Sequence, residues 1–176
     1  FLVFLIFLST SVWSQVIAPV PVVSNDRNWS SSISYDFSGA TTSKVVNYFD
    51  VLGKPVQSQS WDILTGRVWA SEVRYDSFGR AALQSLSAPI NTSGSFDYKP
   101  DFIRTSAGVI FSNSHFDSST TLANPSPVGT TANSLGWYYS TLNNLDPYQD
   151  ITSYPYTRAL YSELSPGTTK GVLGGN

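Results

Sequence analysis

Across residues 44–86 apolar and polar side chains alternate with a period of two, in four short stretches separated by turn residues. Residues 44–50 set Val45, Asn47 and Phe49 on one face and Val46 and Tyr48 on the other. Residues 56–61 set Val56, Ser58 and Ser60 against Gln57, Gln59 and Trp61, and residues 67–75 set Val68, Ala70, Glu72 and Arg74 against Arg67, Trp69, Ser71, Val73 and Tyr75. Residues 81–86 form a fourth stretch that is expected to stop at Pro89. A period of two is that of a strand, because successive side chains leave opposite faces of the pleat. Turn residues at Asp50 to Gly53, Thr65–Gly66 and Asp76 to Gly79 separate the stretches, so the pattern predicts an antiparallel β-meander.

Outside this meander the pattern weakens. Residues 1–8 are an unbroken apolar run, shorter than the about 20 residues a membrane-spanning helix needs. With Val12 and Ser14 following, residues 1–14 fit the end of a secretory signal peptide cleaved before Gln15; the competing reading is a buried strand. This implies an exported protein with no membrane span in its mature form. Residues 15–43 read as an extended lead-in, with Pro19 and Pro21 among valines and a rough first strand around Trp29, Ile33 and Tyr35. The core hairpins occupy residues 44–90, a loop-rich insertion 91–150, and a closing strand segment 151–176. Within the insertion, Phe102-Ile103, Val109-Ile110-Phe111 and Gly136-Trp137-Tyr138-Tyr139 are expected to act as short strands or anchors. The predicted fold class is therefore all-β, an antiparallel meander of short hairpins with a long irregular insertion.

Composition reinforces that reading and removes several chemistries. Aromatic residues make up 14% of the chain and charged residues only 12%, with a net charge of -2 and no run of like charges. Binding nucleic acid requires clustered Lys and Arg to neutralise phosphates, so that partner is excluded. With no cysteine there is no disulfide framework, thiolate nucleophile or cysteine zinc site. His115 is the single histidine and has no Gly-x-Ser-x-Gly elbow for company, so neither a triad nor a transition-metal cluster is expected.

Two readings of the aromatic residues stay open. Trp61, Trp69, Trp137 and Tyr138 could form a flat platform for a cell-surface glycan or protein, or they could pack the core. Trp61 and Trp69 flank a tight turn and could be cross-strand partners.

One phrase occurs twice: Phe49-Asp50-Val51-Leu52-Gly53-Lys54 and, 76 − 50 = 26 positions later, Tyr75-Asp76-Ser77-Phe78-Gly79-Arg80. A weaker copy, Tyr35-Asp36-Phe37-Ser38-Gly39, has Ala40 in place of the basic residue. Asp50 and Asp76 could be imagined as a glycosidase carboxylate pair. A turn explains them more simply: Asp accepts a backbone hydrogen bond two residues on, and glycine supplies the positive φ that closes a hairpin. No D-x-D-x-D-G run suggests calcium. Lys54 and Arg80 read as solvated charges at strand starts that discourage edge pairing. The expectation is a protein with no enzymatic activity, cofactor or metal.

Extended as Tyr48-Phe49-Asp50-Val51-Leu52-Gly53-Lys54-Pro55-Val56-Gln57 and Val73-Arg74-Tyr75-Asp76-Ser77-Phe78-Gly79-Arg80, the two phrases resemble the Tyr-Asp repeats of the RHS/YD-repeat family. They are most similar to the N-terminal region that precedes the repeats in large secreted RHS-like proteins of the Bacteroidetes group. The segment from Tyr154-Pro155-Tyr156-Thr157-Arg158 to Tyr161 and Gly167 resembles that region's closing part. The resemblance covers about residues 44–88 and 151–175; Val51 stands where the family usually has Gly and Lys54 where it has Arg. It implies one wall of a larger β-shell that encloses or displays a C-terminal toxin or surface domain. The implied partners are downstream repeats of the same polypeptide.

Overall fold

The computed structural model describes residues 27–91, 95–117, 126–165 and 167–174. The signal-peptide expectation for 1–14 and residues 15–26 of the lead-in, with Pro19 and Pro21, lie outside these residues. The described chain forms β1 (Asn28–Tyr35), β2 (Thr41–Phe49), β3 (Pro55–Trp61), β4 (Val68–Tyr75), β5 (Ala81–Ser85) and β6 (Ala88–Asn91). Two helical turns follow, α1 (Ser114–Asp117) and α2 (Leu135–Tyr138), then β7 (Tyr156–Tyr161) and β8 (Thr169–Gly174). All eight strands join one antiparallel sheet in the order β1-β2-β3-β4-β5-β7-β8, with β6 also paired to β4. The fold is all-β, as the period-two pattern predicts.

Register explains which face is buried. Val46 lies opposite Gln59, Tyr48 opposite Gln57, Gln59 opposite Ala70, and Gln57 opposite Glu72. Opposed residues share a face of an antiparallel pair, so these side chains form one inward surface, and all of them are buried. Three of them are polar. Gln57 compensates by donating through Nε2 to the Lys99 carbonyl (3.0 Å) and accepting from the Lys99 N–H (3.1 Å), in the manner of a neighbouring strand. Gln59 donates to the Asp97 carbonyl (2.6 Å) and to Gln57 Oε1 (2.7 Å). A buried amide is stable only when its hydrogen bonds are made.

The partners of these glutamines lie in the stretch expected to be a loop-rich insertion, which instead supplies much of the core. Phe96, Phe102, Ile103, Phe111, Phe116, Val128, Leu135, Tyr138 and Tyr139 all belong to the core. Residues 95–117 and 126–155 thus pack on the sheet as a second layer, and each fully buried Phe is worth roughly 1.5–3 kcal/mol. Their backbone is irregular, with single bridges Arg104↔Ile110 and Thr105↔Val128. The patch Gly136 to Tyr139 is not a strand: Ser134 caps α2 by accepting the Trp137 N–H at 3.3 Å, which turns that segment helical.

Two strand boundaries also differ from expectation. β2 starts at Thr41, inside the lead-in, because β1 pairs with it along its full length. Pro89 does not end the sheet but sits within β6, opposite Trp69, beside a register shift between Val68 and Trp69. Proline is tolerated there because β6 pairs only with β4, and the missing N–H costs no ladder bond on its open side.

Candidate functional site

Each Asp-x-x-Gly phrase builds the same hairpin loop. The Asp50 N–H donates to the Lys54 carbonyl (2.9 Å) and the Gly53 N–H to the Asp50 carbonyl (3.0 Å), while Asp50 Oδ1 accepts the N–H groups of Leu52 (2.9 Å) and Lys54 (2.8 Å). The Asp76 copy repeats the backbone bonds at 3.0 and 2.9 Å, and Asp76 Oδ1 accepts the Arg80 N–H (2.8 Å). Asp36 to Ala40 follows suit. Gly53 and Gly79 adopt φ of 77° and 73°, the left-handed residue of a type I turn with a glycine bulge. The bulge shows in the register: Tyr35, Phe49 and Tyr75 each face the residue six positions on, Thr41, Pro55 and Ala81, just after a shift.

Two further loops follow this plan. Asp62 to Arg67 is one residue longer: the Asp62 N–H donates to the Arg67 carbonyl and Gly66 to the Asp62 carbonyl. The Thr65 hydroxyl and then the Leu64 N–H hold the Asp62 carboxyl below its ordinary pKa. At Thr105 to Val109 a threonine hydroxyl replaces the carboxylate. The acid or hydroxyl three or four residues before a glycine signals both in the sequence, although only Thr65–Gly66 stands out there as a turn.

The two full phrases meet at one end of the sheet. Strands β2 and β4 run the same way, separated by β3, so their following loops lie side by side. Lys54 Nζ donates to the Gly79 carbonyl at 2.8 Å and lies 5.3 Å from the Tyr75 ring centre. Tyr75 OH in return donates to the Pro55 carbonyl at 2.7 Å. Phrase one thus grips phrase two through the basic residue, and phrase two grips phrase one through its tyrosine.

The second phrase repeats the grip on the closing segment. Arg80 lies 4.3 Å from the Tyr161 ring centre, and Tyr161 OH donates to the Ala81 carbonyl at 3.0 Å. Tyr161 ends β7 as Tyr75 ends β4, again beside a register shift. Arg80 also pairs with Asp76, Nε to Oδ2 at 2.7 Å, and the Ser77 N–H of this loop donates to Asp117 on α1 (3.1 Å). Lys54 and Arg80 are therefore not the free, solvated charges expected from sequence; both are half-buried bolts between adjacent hairpins.

The four aromatics of the possible platform, Trp61, Trp69, Trp137 and Tyr138, are not brought onto one plane. Trp61 lies opposite Val68 on the inward face, 4.7 Å beneath the Lys44 ammonium. Trp69 lies opposite Ser60 and not opposite Trp61, so the two tryptophans point to opposite sides of their hairpin. Trp69 meets Tyr138 edge-on, centroids 5.5 Å apart at 81°, and Tyr138 is buried with its hydroxyl on Asp146 at 2.9 Å. Trp137 packs half-buried against the core from α2. His115 uses Nδ1 to accept the Ser112 N–H at 3.0 Å, a local loop bond. Among the described residues no group of three or more His, Asp or Glu is arranged to hold a metal, and no helix is long and apolar enough to cross a membrane.

A buried acid stands beside this end of the sheet. Glu72 is fully enclosed and contacts Arg74, yet burial outweighs Arg74's attraction and pushes its carboxyl up to about 8. Beyond it a cleft of about 320 Å³ opens between the two phrases and the second layer, lined by Arg27, Arg74, Asp50, Lys54, Tyr98 and Asn113 among others. The arrangement defines an antiparallel sheet of like hairpins bolted at one end. Comparison with protein-family models, with curated proteins and with solved structures finds no match to the chain.

Proposed function

We propose that this chain is a non-enzymatic structural module of an exported RHS/YD-repeat-like protein, placed at its N-terminal end. In this reading it forms part of a β-shell that encloses or displays a C-terminal toxin or surface domain, and its partners are downstream repeats of the same polypeptide. The observation that carries the reading is the bolt: Lys54 with Tyr75, then Arg80 with Tyr161, the same side-chain grip used between successive hairpins. Contacts that recur between neighbours are what a repeat architecture requires, since each unit buries its faces on the next.

The sheet's ends agree with extension. Strand β1 is exposed along nearly its whole length, and its sequence, Asn-Trp-Ser-Ser-Ser-Ile-Ser-Tyr, holds neither charge nor proline to guard the edge. Among the described residues nothing pairs with the outer edge of β1 or of β8. The Asp50 carboxylate and the Asp76 carboxylate both cap loops, which favours architecture over hydrolysis.

Hydrogen exchange on the chain alone, and on the chain extended by whatever sequence its gene encodes after Asn176, tests this. The expected result is further Tyr-Asp-x-x-Gly-basic phrases in that sequence and slowed exchange along β8 in the longer protein. A continuation lacking the phrase, or β8 amides that exchange equally fast in both, would overturn the reading.

A further inference from the structure

We propose that the cleft between the two turn phrases binds an acidic sugar, a hexuronate residue, whose carboxylate is taken by the guanidinium groups of Arg27 and Arg74. The proposal rests on the cleft's own chemistry and is independent of whether the chain belongs to a repeat shell. At about 320 Å³ the cleft lies at the lower end of the size range of small-ligand sites, about 300–1,000 Å³.

Its lining is unevenly neutralised. Arg27, Lys54 and Arg74 supply three cations against the carboxylates of Asp50 and Asp76, and Asp76 is already paired with Arg80. Lys54 is committed to the Gly79 carbonyl. Arg27 lies 4.9 Å over the Tyr98 ring, and among the described residues no carboxylate comes within ion-pair distance of it. Arg74 gives one amino group to the Pro100 carbonyl (3.1 Å) and to Glu72. Glu72, fully buried, feels both guanidiniums, and its raised pKa keeps it largely protonated at neutral pH, which leaves them without its full counter-charge. A guanidinium takes a carboxylate through its parallel N–H donors.

The rest of the lining suits a sugar more than a bare anion. Asp50 has its Oδ1 occupied by Leu52 and Lys54 N–H groups, which leaves Oδ2 as an acceptor for a hydroxyl. The Asn113 side chain makes no hydrogen bond among the described residues and offers a donor and an acceptor together. Tyr75, Tyr98 and Phe78 supply apolar surface for ring carbons.

Titration of the full chain with glucuronate, followed by amide chemical shifts, is the test, with glucose and acetate as parallel probes. The expected result is saturable shifts around Ser77, Gly79 and Asn113 at millimolar glucuronate, with glucose and acetate at least tenfold weaker. Arg27→Ala and Asn113→Ala should each weaken glucuronate at least fivefold while leaving the melting temperature unchanged, since neither side chain carries a structural ion pair. Absence of saturable shifts, equal binding of acetate, equal binding of glucose, or unaltered affinity in both variants would each overturn the proposal.

Discussion

Glu72 shows how a single residue sets conditions for the whole fold. It stands on the inward face opposite Gln57, fully buried, with Arg74 as its charged neighbour. Removing a carboxylate from water costs more than this one contact returns, so the protonated form is favoured and the pKa rises from 4.5 to about 8. The native state then holds its proton more tightly than the unfolded chain does. The contribution of Glu72 to stability is therefore fully present below about pH 4.5 and is lost as pH rises to about 8, a fall on the order of a few kcal/mol. Urea unfolding across that range should show this slope. Glu72→Gln, which keeps the shape without the charge, should flatten it and raise stability at pH 8.5; an unchanged slope in the variant would assign the effect to another group.

At the scale of the hairpin, most of the architecture is local and was legible. Asp-x-x-Gly fixes a loop from four consecutive residues, and alternation fixes faces, so β2 to β5 could be read within a few residues of their ends. What was not legible is the bolt, because Lys54 reaches Gly79 across a sequence separation of 25 and no local pattern records that approach. The glycines separate the two contributions. Gly53 and Gly79 share a positive φ, but a Cβ at Gly53 would meet nothing within 4 Å, whereas one at Gly79 would stand 2.0 Å from Lys54 Nζ. Gly53→Ala should cost about 1–2 kcal/mol from backbone strain alone. Gly79→Ala should cost about 1 kcal/mol more, because Lys54 must leave the carbonyl. In a Lys54→Met background the two alanine variants should destabilise equally, as measured by chemical denaturation.

For the molecule as a whole, the missing information was long-range. The buried polar positions Gln57 and Gln59 were visible as one strand face, but their partners, the backbones of Lys99 and Asp97, lie some 40 residues on in a stretch that reads as loop. Tyr156 and Arg158 join the sheet by pairing with β5 after the whole second layer has been traversed. Aromatic residues in polar, irregular sequence give no period from which to infer a layer, so Phe102 reads as an isolated anchor and Phe96 goes unmarked, although both are core. The phrase, by contrast, kept its meaning from sequence to structure: two local loops became a connected end of the sheet, with Tyr161 as an unannounced third member. The repeated phrase acts as architecture, each copy fastening the next. A double-mutant cycle on the full chain with Lys54→Met and Tyr75→Leu, read by global unfolding free energy, addresses it most directly. A coupling of about 0.5–1 kcal/mol between the two sites is expected. Additivity within about 0.3 kcal/mol would contradict it.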